Sequence, residues 1–152
     1  MSVGNFNAVA IRFSNIERVL HDIKSELMAK YGLRHTHLIC MVHIDQNEDG
    51  LTPTEISKIC DFDKAFVSRI TSDLVQKNII KVNDKFNDGR KYKQKFVLDT
   101  AGVVIMDEIN EIMKKVSEKA LEGISVEELK IFKSVLFAIS DKFDLIYKDF
   151  TN

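Results

Sequence analysis

Between residues 81 and 95 the chain carries lysines at 81, 85, 91, 93 and 95 and an arginine at 90. Ammonium and guanidinium groups at this density are suited to phosphate oxygens, which they hold by charge-assisted hydrogen bonds. Lys91, Lys93 and Lys95 alternate with Tyr92, Gln94 and Phe96, so a strand here would project all three lysines from one face. Asn87-Asp88-Gly89 is a turn signal, with Arg90 just beyond it. From Leu51 to Leu98 ten Lys/Arg stand against six acids, while the rest of the chain holds 12 basic and 17 acidic residues. A basic middle on a mildly acidic body is the charge distribution of a nucleic-acid reader.

Other chemistries are poorly served. Asp45-Gln46-Asn47-Glu48-Asp49-Gly50 opens like a calcium loop, but Ile56 occupies the twelfth position, where a bidentate glutamate is needed, and Pro53 falls inside. It reads as a polar turn. Cys40 and Cys60 belong to no CxxC and form neither a disulfide framework nor a zinc-finger spacing. Both lie on apolar stripes, where thiols are mostly inert. Of the four histidines, His35 and His37 diverge at a helix start and His43 is most of two turns on, so no metal site is expected. No Gly-rich phosphate loop and no nucleophile–base pairing is evident, so neither an enzyme nor a cofactor is expected. No basic-then-apolar leader opens the chain and no apolar run approaches bilayer length, which makes the cytoplasm the expected location.

The elements that must position the cations follow from periodicity. A first helix is predicted from about Asn5 to Lys30. Phe6, Val9, Phe13, Ile16, Leu20, Ile23 and Leu27 recur at alternating steps of three and four, a heptad seam suited to gripping another helix. Gly32 ends it in a left-handed cap. A second helix, about Arg34 to Gln46, is apolar over most of its circumference and should be buried on several sides. Thr52-Pro53-Thr54-Glu55 is a capping box with proline at the first helical position. The short helix it starts directs Ile56, Ile59 and Cys60 inward and stops at Asp61.

Asp61-Phe62-Asp63 forms a turn, with Phe62 as its buried plug and Asp63 as the next cap. The following helix, Lys64 to about Lys77, has Phe66, Val67, Ile70, Leu74 and Val75 as its apolar positions. Val67, Ile70 and Leu74 make one inward stripe. Ala65, Ser68, Arg69 and Ser72 lie on or near the other side, a short polar face with a cation that suits a DNA groove. Two strands follow: Ile80 and Val82 alternate with Lys81 and Asn83, and after the turn Tyr92, Gln94, Phe96 and Leu98 share one face while Lys91, Lys93 and Lys95 share the other. Asp99 caps a long helix, about Thr100 to Leu121, with Ile105, Ile109, Ile112 and Val116 as its seam. Gly123 closes it, and Ser125 with Glu128 makes a second capping box. In the last helix Leu129, Phe132, Leu136, Ile139, Phe143, Ile146 and Phe150 repeat the alternating steps of three and four. The expected fold is mainly α with a small β wing: one domain, a winged helix-turn-helix at about 33–99, flanked by dimerisation helices at about 5–32 and 100–150.

In these residues the chain resembles the MarR family of bacterial transcriptional regulators. LTPTEISKI before the turn, DKAFVSRITSDL in the second motif helix, NIIKV in the first strand, and DGRK with VLDTAG around the wing carry the likeness, and the helix order matches over nearly the whole chain. The resemblance implies a homodimer whose terminal helices intertwine and whose two winged modules straddle a pseudo-palindromic operator. It makes Lys64, Ala65, Ser68 and Arg69 part of the recognition helix. It matches Asp88-x-Arg90 to a wing motif in which the arginine enters the minor groove and the aspartate holds it. The chain departs from the family at Ala65 and Phe66, where small hydroxyl residues are common. It departs also at Asp61 for a glycine, at Asp99 for a threonine, and in a return strand about two residues longer.

The reading favoured by these residues is a DNA-binding regulator, acting as a repressor in the family manner. Its DNA contacts would come from Thr54, from Lys64, Ala65, Ser68, Arg69 and Ser72, and from Asp88, Arg90, Lys91 and Lys93 in the wing. Phe6, Val9 and Phe13 at one end and Ile139, Phe143, Ile146 and Phe150 at the other would form the dimer. The resemblance further implies a small, often aromatic or anionic effector between the dimer helices and the winged module, and Phe13, His37 and Met41 are the residues selected to line it. Oxidation of Cys40 or Cys60 and zinc sensing are two other ways such a regulator could respond. The rival class is a winged-helix dimer that antagonises a related regulator without binding DNA, but such a module has no need of the wing lysines or Arg90.

Overall fold

The computed structural model describes residues 3–86 and 93–151. Among the described residues six helices and two short strands run in the order α1 (Val3–Ala29), α2 (His35–Asp45), α3 (Pro53–Cys60), α4 (Lys64–Gln76), β1 (Ile80–Val82), β2 (Phe96–Leu98), α5 (Thr100–Ala120) and α6 (Val126–Thr151), with a 3-10 turn at Asp84–Phe86. The chain forms two compact units, residues 1–111 and 112–152. Among the described residues no helix is long and apolar enough to cross a membrane.

The ends of these helices are set by local chemistry. Gly32 at φ 64° and Gly123 at φ 82° take the left-handed conformation that closes α1 and α5. Ser125 Oγ accepts from the Glu128 amide at 3.2 Å, and Glu128 returns a carboxylate to the Ser125 amide at 2.8 Å, so the last helix starts on the expected capping box. Asp99 accepts from the Thr100 amide at 2.8 Å and from Lys81 Nζ at 3.1 Å. These bonds hold its carboxyl below the usual range and tie the start of α5 to β1.

The core of the first unit is built around α2. Leu38, Cys40, Met41 and Ile44 are almost fully enclosed, and they are joined by Met28 from α1, Ile56 from α3, Val67 and Leu74 from α4, Ile80 from β1 and Ile105, Met106 and Ile109 from α5. A helix apolar around most of its circumference ends up buried on several sides. The inward stripe of α4 is as the periodicity requires. Ile59 and Val75 differ from expectation: they are 48% and 41% exposed, because each lies one step off the buried stripe of its helix.

Strand β1 pairs antiparallel with β2, Ile80 against Leu98 and Val82 against Phe96. Leu51 adds a third rung by exchanging both backbone hydrogen bonds with Phe96, at 3.1 and 2.8 Å. Among the described residues the return strand spans Phe96–Leu98, and Lys91 and Tyr92, which the expected strand included, lie outside them. Just before this strand the Asn83 amide donates to the Lys95 carbonyl at 2.8 Å, so backbone bonding to the first strand continues one residue beyond the paired strands. Gly102, inside the first turn of α5, sits so close to the preceding connection that a Cβ there would lie 2.2 Å from the Ile79 carbonyl oxygen. This contact seats α5 on the end of α4 and β1.

The second unit has no fully buried side chain in α6. Phe143 and Ile146 are each 50% exposed and Phe150 is 86% exposed. In α1 Phe6, Val9 and Ile16 are likewise exposed, while Leu27 and Met28 at its other end are buried. Of the remaining seam residues, Phe13 and Ile139 are half-buried.

Candidate nucleic-acid interface

Helix α4 is presented by a closely hydrogen-bonded turn. Thr52 and Glu55 bond reciprocally, the Thr52 amide to Glu55 Oε2 at 2.7 Å and the Glu55 amide to Thr52 Oγ1 at 3.2 Å, which fixes the start of α3. The Thr52 amide also holds the Glu55 carboxyl below its ordinary range. At the other end Asp61 takes φ 53°, the left-handed conformation that aspartate tolerates better than most residues. Ser57 Oγ donates to the Phe62 carbonyl at 2.6 Å and the Phe62 amide donates to the Ser57 carbonyl at 3.1 Å. Phe62 is half-buried and meets Phe66 edge-on, with ring centroids 5.1 Å apart. Asp63 caps α4 by accepting from the Phe66 amide at 2.9 Å.

With Val67, Ile70, Thr71 and Leu74 committed to the core, the opposite face of α4 carries Lys64, Ala65, Ser68, Arg69 and Ser72, all exposed. Thr54, in the first turn of α3, is exposed as well. The Arg69 guanidinium lies 5.8 Å from the centre of the Phe66 ring, a cation–π contact. Phe66 thus lies beneath the arginine as its aromatic partner. In the wing Lys93 is exposed. Asp88, Arg90 and Lys91 lie outside the described residues.

A contact the periodicity did not reveal stands beside this face. His37, only 7% exposed, sits at the start of α2. The Arg34 amide donates to its Nδ1 at 2.9 Å, and Nε2 faces Asp73 Oδ2 of α4 at 3.1 Å. Nδ1 as acceptor places the neutral ring's proton on Nε2, where it bonds Asp73. Asp73 is also bonded by Lys77 one turn on, and that bond is the main cause of its lowered carboxyl pKa. The spacing of Asp73 and Lys77 is legible as an i, i+4 pair, but nothing local points to His37. A cleft of about 370 Å³ opens here, with Arg34, His37, Phe66, Arg69, Asp73 and Lys77 on its walls. Phe13 and Met41 are not among its lining residues, and Met41 is fully enclosed in the core. A second cavity, about 540 Å³ and largely apolar, lies at the start of α5 between Tyr31, Asn78, Thr100, Val104 and Ile105.

The His37 link has a pH signature. Burial holds the His37 pKa below its ordinary value of 6.5, with the Asp73 charge opposing this and the Lys77 charge adding to it. The unfolded chain therefore binds the proton more tightly than the fold does. Stability from the neutral ring is fully present above 6.5 and is lost as the pH falls through the folded-state value. His35, also lowered by burial, adds in the same direction. Denaturant titrations between pH 8 and pH 5 should show stability falling on the acid side, with the fall reduced in His37→Gln. An unchanged fall in that variant would mean that His37 is not its source.

Comparison with models of protein families finds no match, and neither does comparison with curated proteins. Solved structures do match. A MarR family transcription regulator superposes with a TM-score of 0.81 at 15% identity, over 95% of this chain and 94% of its own. A MarR family protein from Bacillus stearothermophilus gives 0.78 at 15% identity, over 95% and 99%. The transcriptional regulator SlyA gives 0.71 at 16% identity, over 92% and 96%. At these identities the likeness establishes the fold, which is the winged helix arrangement that these proteins share and that the sequence resemblance implied.

Proposed function

We propose that this chain is a MarR-type transcription regulator that binds double-stranded DNA as a homodimer and acts as a repressor. The observation that carries this reading is the exposed face of α4: Lys64, Ala65, Ser68, Arg69 and Ser72 stand clear of the core on a helix whose preceding turn and first residues are closely hydrogen-bonded. Residues kept out of the core on a rigid, capped helix are free to meet base edges and phosphates. Lys93, and Arg90 with Asp88 by resemblance, extend the contact from the wing. The apolar side chains left in water on α1 and α6 support the dimer, since a second copy would cover them by hydrophobic burial. The cleft at His37 is the place for a small effector, because one touching Arg69 and Asp73 would meet α4 directly. The antagonist reading is not favoured, as it leaves the cations of α4 and the wing without a task.

Phosphate contacts make affinity fall with salt. Each neutralised phosphate contributes a slope of about −0.9 in log K against log salt. Titration of duplex fragments flanking the chain's own gene, at three salt concentrations, should give a slope of roughly −4 or steeper for a two-fold reader. A flat response would overturn DNA binding.

A further inference from the structure

Two neighbours on α4 are placed to claim Arg69. Phe66 lies three residues back, with the guanidinium 5.8 Å from its ring centre. Phe66 is itself held in place, half-buried, met edge-on by Phe62 and with its amide bonded to Asp63 at 2.9 Å. Asp73 lies four residues on, a spacing at which an aspartate and an arginine on one helix can pair. Both oxygens of Asp73 are taken elsewhere. Oδ2 faces His37 Nε2 at 3.1 Å, and Oδ1 accepts from Lys77. Among the described residues no carboxylate pairs with Arg69. Phe66, Arg69, Asp73, Lys77 and His37 line one cleft. We propose that Phe66, Lys77 and His37 are positioning residues for Arg69: the ring supports the guanidinium, the other two keep Asp73 occupied, and the arginine is thereby held ready to read a guanine in the operator.

The physical case has two parts. A long side chain loses rotamer freedom when it binds, and a ring already beneath the guanidinium lowers that cost. A carboxylate partner acts the other way. It would occupy the planar fork that matches guanine O6 and N7, and that pair would have to break before the base could be read. Order along the helix decides which cation Asp73 takes. An acid four residues before a base is the better arrangement, and Asp73 with Lys77 has that order, whereas Arg69 with Asp73 has the reverse. His37 arrives from α2 and takes the second oxygen, so the packing of α2 on α4 completes what local spacing starts. Ala65, Ser68 and Ser72 are the short residues exposed around Arg69, which has the longest reach among them into a groove. The base contact itself rests on the function proposed above.

The test uses the full chain and a duplex that it retains from a random pool, with each guanine replaced in turn by 7-deazaguanine, which lacks the N7 acceptor. One guanine in each half-site should stand out, its replacement costing the wild-type protein about tenfold in affinity and Arg69→Ala almost nothing. Phe66→Leu should bind the unmodified duplex about 3- to 30-fold more weakly, the span of a cation–π contact from exposed to desolvated, while Phe66→Tyr keeps the ring and should recover most of the loss. At low salt, where Arg69→Ala can still be measured, Phe66→Leu should add no further loss to that variant. A loss that persists there would show that Phe66 acts on the fold and not through Arg69, and would overturn its role. Lys77→Ala is an exposed change that frees Asp73 for Arg69. It should cut the 7-deazaguanine penalty several-fold, and adding Asp73→Asn, which restores the net charge, should bring the penalty back. A penalty undiminished in Lys77→Ala, or not restored by Asp73→Asn, would overturn the competition for Arg69. A retained duplex with no guanine sensed through Arg69 would overturn the base assignment and leave DNA binding standing. A protein that retains no duplex from the pool would sink the DNA reading itself.

Discussion

Replacing Gly50 with alanine should destabilise the protein by about 2–5 kcal/mol and detach the wing from the helical core. Two penalties add at this position. Gly50 has φ +78°, a left-handed conformation that costs a residue bearing a Cβ roughly 1–2 kcal/mol. A Cβ there would also lie 2.3 Å from the Phe96 carbonyl oxygen and 2.8 Å from Val97 Cγ1. The first of these is backbone, in a residue paired to Leu51 on one side and to Val82 of β1 on the other, so it cannot yield without breaking the rung. Gly32 separates the two effects, because its φ is +64° but nothing lies within 4 Å of where its Cβ would stand. Gly32→Ala should therefore cost only the conformational part. Urea denaturation of both variants checks this. Equal losses at the two glycines would show that the Phe96 contact is without consequence.

The second large effect is on binding. Arg69→Ala should weaken duplex affinity about 10- to 100-fold, in line with about 1–3 kcal/mol for a well-formed arginine contact to a base edge. The fold should be little affected. Arg69 is exposed, and its contact with Phe66 is worth about 0.5–1 kcal/mol at such a site. Lys114→Ala removes the same charge from an exposed position on α5 and should leave affinity nearly unchanged. Fluorescence anisotropy on a duplex carrying the operator, alongside a melting curve, distinguishes the outcomes. If Arg69→Ala and Lys114→Ala reduce binding equally, only net charge matters and α4 is not the reading helix.

What could be read from sequence was what local chemistry decides. The capping boxes at Thr52–Glu55 and Ser125–Glu128, the cap at Asp63 and the left-handed positions at Gly32, Asp61 and Gly123 depend on residues within a turn of one another. The division of α4 into a buried stripe and an exposed cationic face follows from a period of 3.6 alone. What could not be read depends on residues brought together by packing. A single residue, Leu51, joins the sheet by a bridge to Phe96 that no local pattern announces. Asp73 carries a helical spacing to Lys77 but none to His37, which arrives from another helix. The seams of α1 and α6 were legible as apolar faces, and Phe6, Val9, Ile16, Phe143, Ile146 and Phe150 of those seams stand exposed in the single chain.

If two copies of α4 read one DNA duplex together, the duplex itself should record their spacing. Hydroxyl-radical footprinting of the protein on its operator makes that record. Two protected patches are expected on one face of the duplex, related by a two-fold axis and centred roughly one helical turn, about 34–36 Å, apart. A single patch, or protection that follows no two-fold, would contradict the paired reading.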